Sequence, residues 1–382
     1  MDRRTFNAGI GAALTSGLIP TSAAAAEYRG PNVILVRFGG GVRRAETIDA
    51  ATTWAPYLRH VLTSRGIFIP DLMIEQLDGM ATSHAEGTLN LLTGRYLAYR
   101  DAGSKFLTDR LEPTEPTLFE YLRAAFDLPS QQVLLVNGED RPQEEFFTFG
   151  VNDHYGIDFR SEMLSLHRFK IWKTRAALDE GGLSEDENLA LTKTYQDLVA
   201  VDPRGMSEDQ ASEIEAFWAR WRAHYGADGF RNPRGDRLLT ALALRAMAEL
   251  RPRLMMVNYQ DPDYVHWGNP SHYTRAIAVI DEGLQRLVSA ADGDPFYRDN
   301  TIFVITPDCG RDANPLTAVP FQHHFNSRTA HETWAVLFGP GITRGRTLDK
   351  RVDQTAIAPT IAALMGFRAE AAEGHALSEI GT

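Results

Sequence analysis

Acidic residues, histidines and the single cysteine are concentrated between residues 261 and 331. Five of the eleven histidines fall between residues 266 and 331, beside apolar runs. Carboxylate and imidazole are the ligands that zinc and similar divalent ions prefer, and a thiolate can join them. The sequence therefore indicates a metal site, drawn from Asp261, Asp263, His266, Asp308, Cys309, His323, His324 and His331.

Each of these residues has a simpler explanation when taken alone. An Asp after a strand often caps the next helix, and a single His in a loop is more often a surface group than a ligand. Their grouping at the ends of successive apolar runs favours a site, because a parallel sheet brings the carboxyl ends of its strands together.

The apolar runs predict the strands that would position this site. β-branched, apolar stretches occur at 32–38, 131–137, 252–259, 300–307 and 333–342. Helical patterns lie between them, at 52–64, 85–93, 116–126, 236–250, 270–290 and 354–365. This alternation predicts an α/β fold with a mainly parallel sheet sandwiched by helices.

Residues 151–235 interrupt this alternation. The segment is charged, contains tryptophans and has few strand-like runs. It is read either as a helical cap or insertion, or as ordinary peripheral helices of the same domain.

Composition limits the classes of partner. The chain has 382 residues and a formal net charge of −11, without a basic run beyond its N-terminus. A nucleic-acid-binding protein needs a concentrated cationic face, so DNA and RNA are poor partners for this chain. A single cysteine also excludes an internal disulfide.

The first 26 residues are expected to be a twin-arginine-type signal peptide. Arg3 and Arg4 precede a mildly apolar stretch and the run Ala24-Ala25-Ala26. The alternative is a basic start to a cytosolic protein. The apolar stretch is too short to be a stable membrane span. We therefore expect a protein exported to the periplasm or beyond the cell, with residues 27–382 forming the α/β domain.

Six segments in a fixed order resemble the alkaline phosphatase superfamily, which includes sulfatases and phosphodiesterases. The resemblance covers most of residues 31–366. It rests on "PNVILVRFGGG" (31–41), "LNLLTGRY" (89–96), "DPDYVHWG" (261–268), "ITPDCGRD" (305–312), "HETWAVLFGPGI" (331–342) and "QTAIAPTIAALMG" (354–366).

The resemblance implies one complete metal site and one altered site. The first ion would be held by Asp263 (or Asp261), His266 and His331. In the second, the carboxylate that follows the first strand is replaced by Gly39, and the usual Asp-His pair reads Asp308-Cys309. One divalent ion is therefore expected, and the second site is expected to be incomplete. The ligand types indicate that the ion is zinc.

The nucleophile position also departs from the superfamily pattern, which has Thr, Ser or a modified Cys there. The corresponding residue is His84, and Thr82 and Ser83 are the neighbouring hydroxyls that a shifted alignment would select. His84 itself is either a metal ligand or a phosphorylated nucleophile. Residues expected to bind the anionic substrate are Arg95, Arg311, His323 and His324.

Two classes of function follow from the resemblance. One is an exported, metal-dependent hydrolase of phosphate or sulfate esters with reduced activity. The other is a catalytically inactive pseudo-hydrolase that binds an anionic ligand or partner in the same cleft. The departures at Gly39, His84 and Cys309 favour the second, and the complete first metal site favours the first.

Overall fold

The computed structural model describes most of the chain beyond residue 26. The described residues are 27–75, 77, 82–103, 110–138, 141–204, 212–231, 234–314, 319, 321–323 and 327–381. The expected signal peptide at 1–26 lies outside them, and so does His324.

Within the described residues, nine strands form one sheet and two more form a small antiparallel pair. The sheet strands are β1 Asn32–Arg37, β2 Ile67–Met73, β5 Val133–Val136, β6 Glu162–Leu164, β7 Leu254–Asn258, β8 Thr301–Thr306, β9 Glu332–Phe338, β10 Arg346–Thr347 and β11 Val352–Asp353. The separate pair is β3 Tyr99–Asp101 and β4 Leu111–Pro113.

The order across the sheet is β10-β2-β9-β8-β1-β7-β5-β6, with β11 also paired to β2. β1 lies between β7 and β8 and is parallel to both, and β5 is parallel to β6 and β7. β9 is antiparallel to both of its neighbours, β2 and β8. The prediction of a mainly parallel sheet is confirmed, with β9 as the strand that reverses.

The helices cover both faces of this sheet. They are α1 Arg44–Thr47, α2 Thr63–Arg65, α3 His84–Thr93, α4 Leu118–Phe126, α5 Leu166–Glu180, α6 Glu185–Val199, α7 Ser212–Tyr225, α8 Asp236–Leu250, α9 Pro270–Gly293, α10 Arg328–His331 and α11 Ile357–Met365. A π-helical turn, Tyr57–Leu62, precedes α2. None of the helices in the described ranges combines the length and apolarity needed to cross a membrane.

Side-chain alternation along the central strand divides the core into two layers. Ile34 and Val36 of β1 pack into a cluster with residues of α5, α7, α8 and α9. Val33 and Leu35 point to the other face, where residues of α3, α4 and α11 pack. Because both faces are buried, the four residues between Asn32 and Arg37 are all apolar.

The segment 151–235 contains helices α5, α6 and α7 and also the edge strand β6. Trp218 and Trp221 of α7 are fully buried in the same cluster that packs on β1. In contrast, α6 has no buried residue. The segment therefore contributes both to the central sheet and to one layer of its core.

Candidate metal centre

Three parallel strands end at the same level in the middle of the sheet. Arg37, the last residue of β1, pairs in register with Asn258 of β7 and Thr306 of β8. The chain continues from these strands into the glycines 39–41, the 3₁₀ turn Asp261–Tyr264, and Asp308. The strand-end residues that the sequence singled out are thus brought to one edge of the sheet.

Three imidazoles converge on one oxygen of Asp263. Its Oδ1 lies 2.6 Å from His84 Nε2, 3.0 Å from His266 Nε2 and 3.2 Å from His323 Nε2. The other oxygen, Oδ2, accepts a hydrogen bond from the guanidinium of Arg141. These four residues, Asp263, His84, His266 and His323, are called the Asp263 cluster below.

The outer nitrogens of two of these rings are held by acceptors. His84 Nδ1 lies 2.8 Å from Asp308 Oδ2, and His323 Nδ1 lies 2.8 Å from the carbonyl oxygen of Thr82. Both Nδ1 atoms therefore carry a proton, and both Nε2 atoms point at a carboxylate oxygen. An acceptor nitrogen this close to an acceptor oxygen requires positive charge between them, supplied either by ring protons or by a bound cation.

The donor set of the Asp263 cluster fits a divalent ion. Ligand atoms bound to one zinc at about 2.0–2.2 Å lie about 3–3.5 Å apart. Asp263 Oδ1 lies at such a distance from His266 Nε2 (3.0 Å) and His323 Nε2 (3.2 Å), and nearer to His84 Nε2 (2.6 Å). His84, Asp263 and His323 also offer ligand atoms within 4.8 Å of one another, and among the described residues His266 is not part of that group. Hydrogen bonds from the second ring nitrogens to a carboxylate and a carbonyl are the usual outer contacts of metal-bound histidines.

Electrostatics in this cluster favour charged side chains. Burial lowers the pKa of His84, but the Asp263 and Asp308 carboxylates outweigh burial and raise it well above 6.5. Burial raises the pKa of Asp308, but His84 and then Arg37 lower it to about 2. Burial likewise raises the pKa of Asp263, and His84 with the other imidazoles lowers it far below its ordinary range.

A second set of side chains surrounds Asp308, and we call Arg37, Glu144, Asp308 and Cys309 the Asp308 group. Arg37 is fully buried, with its Nε 3.8 Å from Asp308 Oδ2 and both terminal nitrogens 3.2 Å from Glu144 Oε1. Cys309 Sγ lies 3.9 Å from His84 Nδ1. Burial, followed by the negative charge of Asp308, raises the pKa of this thiol to about 12.

Gly39 leaves no room for the carboxylate that the sequence resemblance implied for a complete second metal site. A Cβ added at this position would lie 2.0 Å from the backbone oxygen of Tyr259 and 3.0 Å from Arg37 Nε. The next glycine, Gly40, has φ +88°, and a Cβ added there would lie 2.5 Å from the backbone nitrogen of Asp263. The glycines therefore allow the loop after β1 to lie directly against the backbone after β7.

The hydroxyls of Thr82 and Ser83 both make hydrogen bonds within the fold. Thr82 Oγ1 donates to the backbone oxygen of His323. Ser83 Oγ donates to Glu86 Oε2 at 2.8 Å and accepts from the Glu86 amide, forming the capping box of α3. Of the three candidate catalytic residues, His84, the first residue of α3, is the one whose side chain joins the Asp263 cluster.

His331 and Asp261 make contacts with groups other than the four side chains of the Asp263 cluster. His331 Nδ1 lies 3.0 Å from the carbonyl oxygen of Ile74, and among the described residues His331 belongs to neither group of potential metal ligands. Asp261 instead contacts another acidic residue, Asp236, whose backbone amide donates to Asp261 Oδ1. Burial, then the charge of Asp261, raises the pKa of Asp236 well above its usual value.

The predicted substrate-binding residues are dispersed. Arg95 pairs with Glu115 at 3.4 Å and Glu373 at 3.0 Å on the surface. Arg311 is fully buried and donates to backbone carbonyls of neighbouring loops. His323 belongs to the Asp263 cluster, and His324 lies outside the described residues.

Arg141 was missed by the sequence reasoning. It follows β5, contacts Asp263 Oδ2 and donates from Nε to Gln260 Oε1 at 2.9 Å. Burial lowers its pKa, but Asp263 and Glu144 raise it above its ordinary value, so it remains charged. Its place just beyond a predicted strand was the available signal, because that strand ends at the same edge as β1 and β7.

Comparisons with known proteins agree with this fold. Residues 229–369 match the family model of the Metalloenzyme superfamily, a range that contains Asp263, His266, Asp308 and His323 but not His84. No curated protein matches the chain.

Similar solved structures cover nearly the whole chain at low identity. A 2-O GAG sulfatase has a TM-score of 0.54 and 12% identity, over 92% of this chain and 74% of its own. A phosphonate monoester hydrolase from Silicibacter pomeroyi has a TM-score of 0.51 and 14% identity, over 91% and 75%. A lipoteichoic acid synthase from Listeria monocytogenes has a TM-score of 0.50 and 11% identity, over 93% and 75%.

Proposed function

We propose that this chain, which has the alkaline phosphatase superfamily fold predicted by its resemblance, is a metal-dependent hydrolase of small phosphate or sulfate esters. The convergence of His84, His266 and His323 on one oxygen of Asp263 carries this proposal. The ion would be zinc, because a set of imidazoles and one carboxylate suits it. When bound, such an ion supplies Lewis-acid stabilisation of the negative charge that develops on the ester oxygens.

The chain's own residues would hold these donors in one geometry. Asp308 fixes the ring of His84 through Nδ1, and the Thr82 carbonyl fixes the ring of His323. Arg141 binds Asp263 Oδ2 and so leaves Oδ1 turned towards the three imidazoles. Arg141 is also the cationic side chain placed to attract an anionic ester, since it lies partly exposed beside the cluster.

Water is the nucleophile that this arrangement favours. His84 stands at the nucleophile position, but its two nitrogens face Asp263 and Asp308. The hydroxyls of Thr82 and Ser83 make hydrogen bonds within the fold. A single displacement by water therefore needs no covalent intermediate on the protein.

The hydroxyls of Thr82 and Ser83 are hydrogen-bonded within the fold and so are not free nucleophiles. This supports a second candidate, a protein that binds an anionic ester without hydrolysing it. Both candidates share the metal centre and the fold. They differ in turnover, which a direct assay separates.

The test measures metal content and hydrolysis of 4-nitrophenyl phosphate, bis(4-nitrophenyl) phosphate and 4-nitrophenyl sulfate by the purified protein with zinc. We expect hydrolysis of at least one ester, and Asp263→Asn and His323→Asn should each lose both metal and turnover. His272→Asn, at an exposed histidine of α9, is the control and should retain both. Bound metal without turnover would favour the binding protein, whereas full activity in Asp263→Asn would overturn the metal-centre proposal.

Export is proposed separately, from the order of charged and apolar residues at 1–26. If the twin-arginine route is used, replacing Arg3 and Arg4 with Lys should retain the protein in the cytoplasm. Fractionation of cells followed by immunoblotting measures the distribution. Unchanged delivery beyond the cytoplasm would rule out this route.

A further inference from the structure

The Asp308 group contains a buried cation of its own. We infer that the guanidinium of Arg37 takes the place of a second metal ion beside Asp308, so that the centre holds one ion and Asp308 acts on it only through His84. This inference rests on the proposed function, which places one ion at the Asp263 cluster.

The contacts of Arg37 place its charge permanently beside Asp308. The side chain begins at the end of the central strand β1 and is fully buried. One terminal nitrogen donates to Thr88 Oγ1 at 2.6 Å and both donate to Glu144, which leaves Nε facing Asp308 Oδ2 at 3.8 Å. Nε has no hydrogen-bond partner among the described residues, so its positive charge is directed at this carboxylate.

Asp308 has its hydrogen bonds satisfied without a metal. Oδ1 accepts from the backbone amide of Cys309 at 2.8 Å, and Oδ2 lies 2.8 Å from His84 Nδ1. The atoms of His84, Asp308 and Cys309 are close enough together to hold an ion. However, an ion there would displace the proton of His84 Nδ1 and would lie beside the guanidinium of Arg37.

The backbone excludes the additional ligand that would offset this repulsion. Any side chain at Gly39 would overlap the Tyr259 carbonyl, so no carboxylate can enter from the loop after β1. Without an extra anion, the guanidinium of Arg37 and a divalent ion would share the two carboxylates Asp308 and Glu144. Like charges in a water-excluded site repel strongly, so the guanidinium excludes the ion.

Asp308 is consequently a positioning residue for the single ion. It keeps the proton on His84 Nδ1 and turns Nε2 towards Asp263, as outer carboxylates do for metal-bound histidines. Removing such a partner typically weakens metal affinity by about 10–100-fold while leaving the number of sites unchanged.

The experiment counts metal ions in the full chain by plasma mass spectrometry after equilibration with Zn²⁺ and removal of unbound metal. We expect one ion per chain in the wild type and in Cys309→Ser, and none in His323→Asn. Asp308→Asn should still reach one ion at saturating Zn²⁺, with affinity about 10–100-fold weaker. The Co²⁺-substituted wild type should lack the charge-transfer absorption of a thiolate–cobalt bond, a readout that needs no variant to fold.

The outcomes separate failure of this inference from failure of the proposed function. Two ions in the wild type, loss of an ion in Cys309→Ser, or a thiolate–cobalt band would overturn the inference. One ion that survives His323→Asn but is lost in Cys309→Ser would place the metal in the Asp308 group and also overturn it. No ion in the wild type would refute the proposed metal-dependent function, while agreeing with an Asp308 group that binds none.

Discussion

Two single residues, His84 and Gly39, determine which groups can enter the metal centre. His84 is the residue for which the sequence resemblance predicted a nucleophile, yet its ring lies between two carboxylates, Asp263 and Asp308. Gly39 is the residue for which the sequence resemblance predicted a missing carboxylate, and a Cβ there would overlap the backbone oxygen of Tyr259, just after β7. These two departures are complementary, because the absence of a carboxylate at Gly39 accompanies the buried guanidinium of Arg37.

Gly39→Ala is expected to lower the free energy of unfolding by about 3 kcal/mol or more, because its methyl group would overlap a backbone oxygen that has little freedom to move. Gly293→Ala, at the end of α9, is the matched control, since a Cβ there meets nothing within 4 Å. Urea denaturation followed by circular dichroism measures both. Equal stability of the two variants would contradict the close approach of the loops after β1 and β7.

At the scale of elements, the site could be anticipated in part from the sequence. The helix predicted at 236–250 is observed with those bounds, and the predicted central strands correspond to β1, β5, β7, β8 and β9. The strand-end argument identified Asp263 and Asp308 because parallel strands end at one edge. It could not show that His84 and His323 would join Asp263, since loop conformation depends on tertiary contacts that periodicity does not encode.

The strand β2 was missed for a physical reason. Its sequence, "IFIPDLM", contains Pro70 and Asp71, which are typical of turns. The ladder with β9 shifts register between Ile69 and Leu72, so a bulge accommodates the proline. The sheet consequently extends beyond the strands predicted from apolar runs.

Helix α5 carries a buried histidine that should make stability depend on pH. Burial and the neighbouring cations Arg168 and Lys170 lower the pKa of His167 to about 4, although a hydrogen bond to the backbone of Leu198 opposes the shift. In the unfolded chain His167 is protonated as the pH falls through about 6.5, whereas in the folded chain it is protonated only near pH 4. Stability from neutral His167 is thus complete above pH 6.5 and declines as the pH falls.

His167→Gln should therefore lose less stability than the wild type between pH 7 and pH 5, by about 2 kcal/mol. His224→Gln, at an exposed histidine of α7, is the control and should follow the wild type. Urea denaturation at both pH values measures the differences. Parallel pH profiles of wild type and His167→Gln would show that His167 is protonated normally in the folded state.

At the scale of the whole molecule, metal binding and folding are expected to be linked. The Asp263 cluster draws ligands from α3, the turn after β7 and the segment around residue 323, which are distant in the sequence. Any ligand that binds only the folded state stabilises it by mass action. The bound ion should thus act on the entire fold and not only on the cleft.

Removal of metal by a chelator should lower the melting temperature by about 5 °C or more, which corresponds to about 3 kcal/mol of binding linkage in a chain of this size. Addition of Zn²⁺ should restore it. His323→Asn is the control, because a protein that lacks the site should not respond to either reagent. Differential scanning calorimetry measures the melting temperature. If the wild type and His323→Asn respond equally to the chelator, the change in melting temperature does not come from the Asp263 cluster.

The buried side chain of Arg311 connects the loops that carry this centre. It donates to Gly41 and Gly40 after β1, to Val265 beside His266, and to Phe321 close to His323. The loops are therefore immobilised together when the chain folds, and their conformational entropy is already lost before any ion arrives. Loss of this guanidinium would leave every metal ligand present but on independently moving segments, so affinity would fall through disorder of the unbound centre and not through a missing donor.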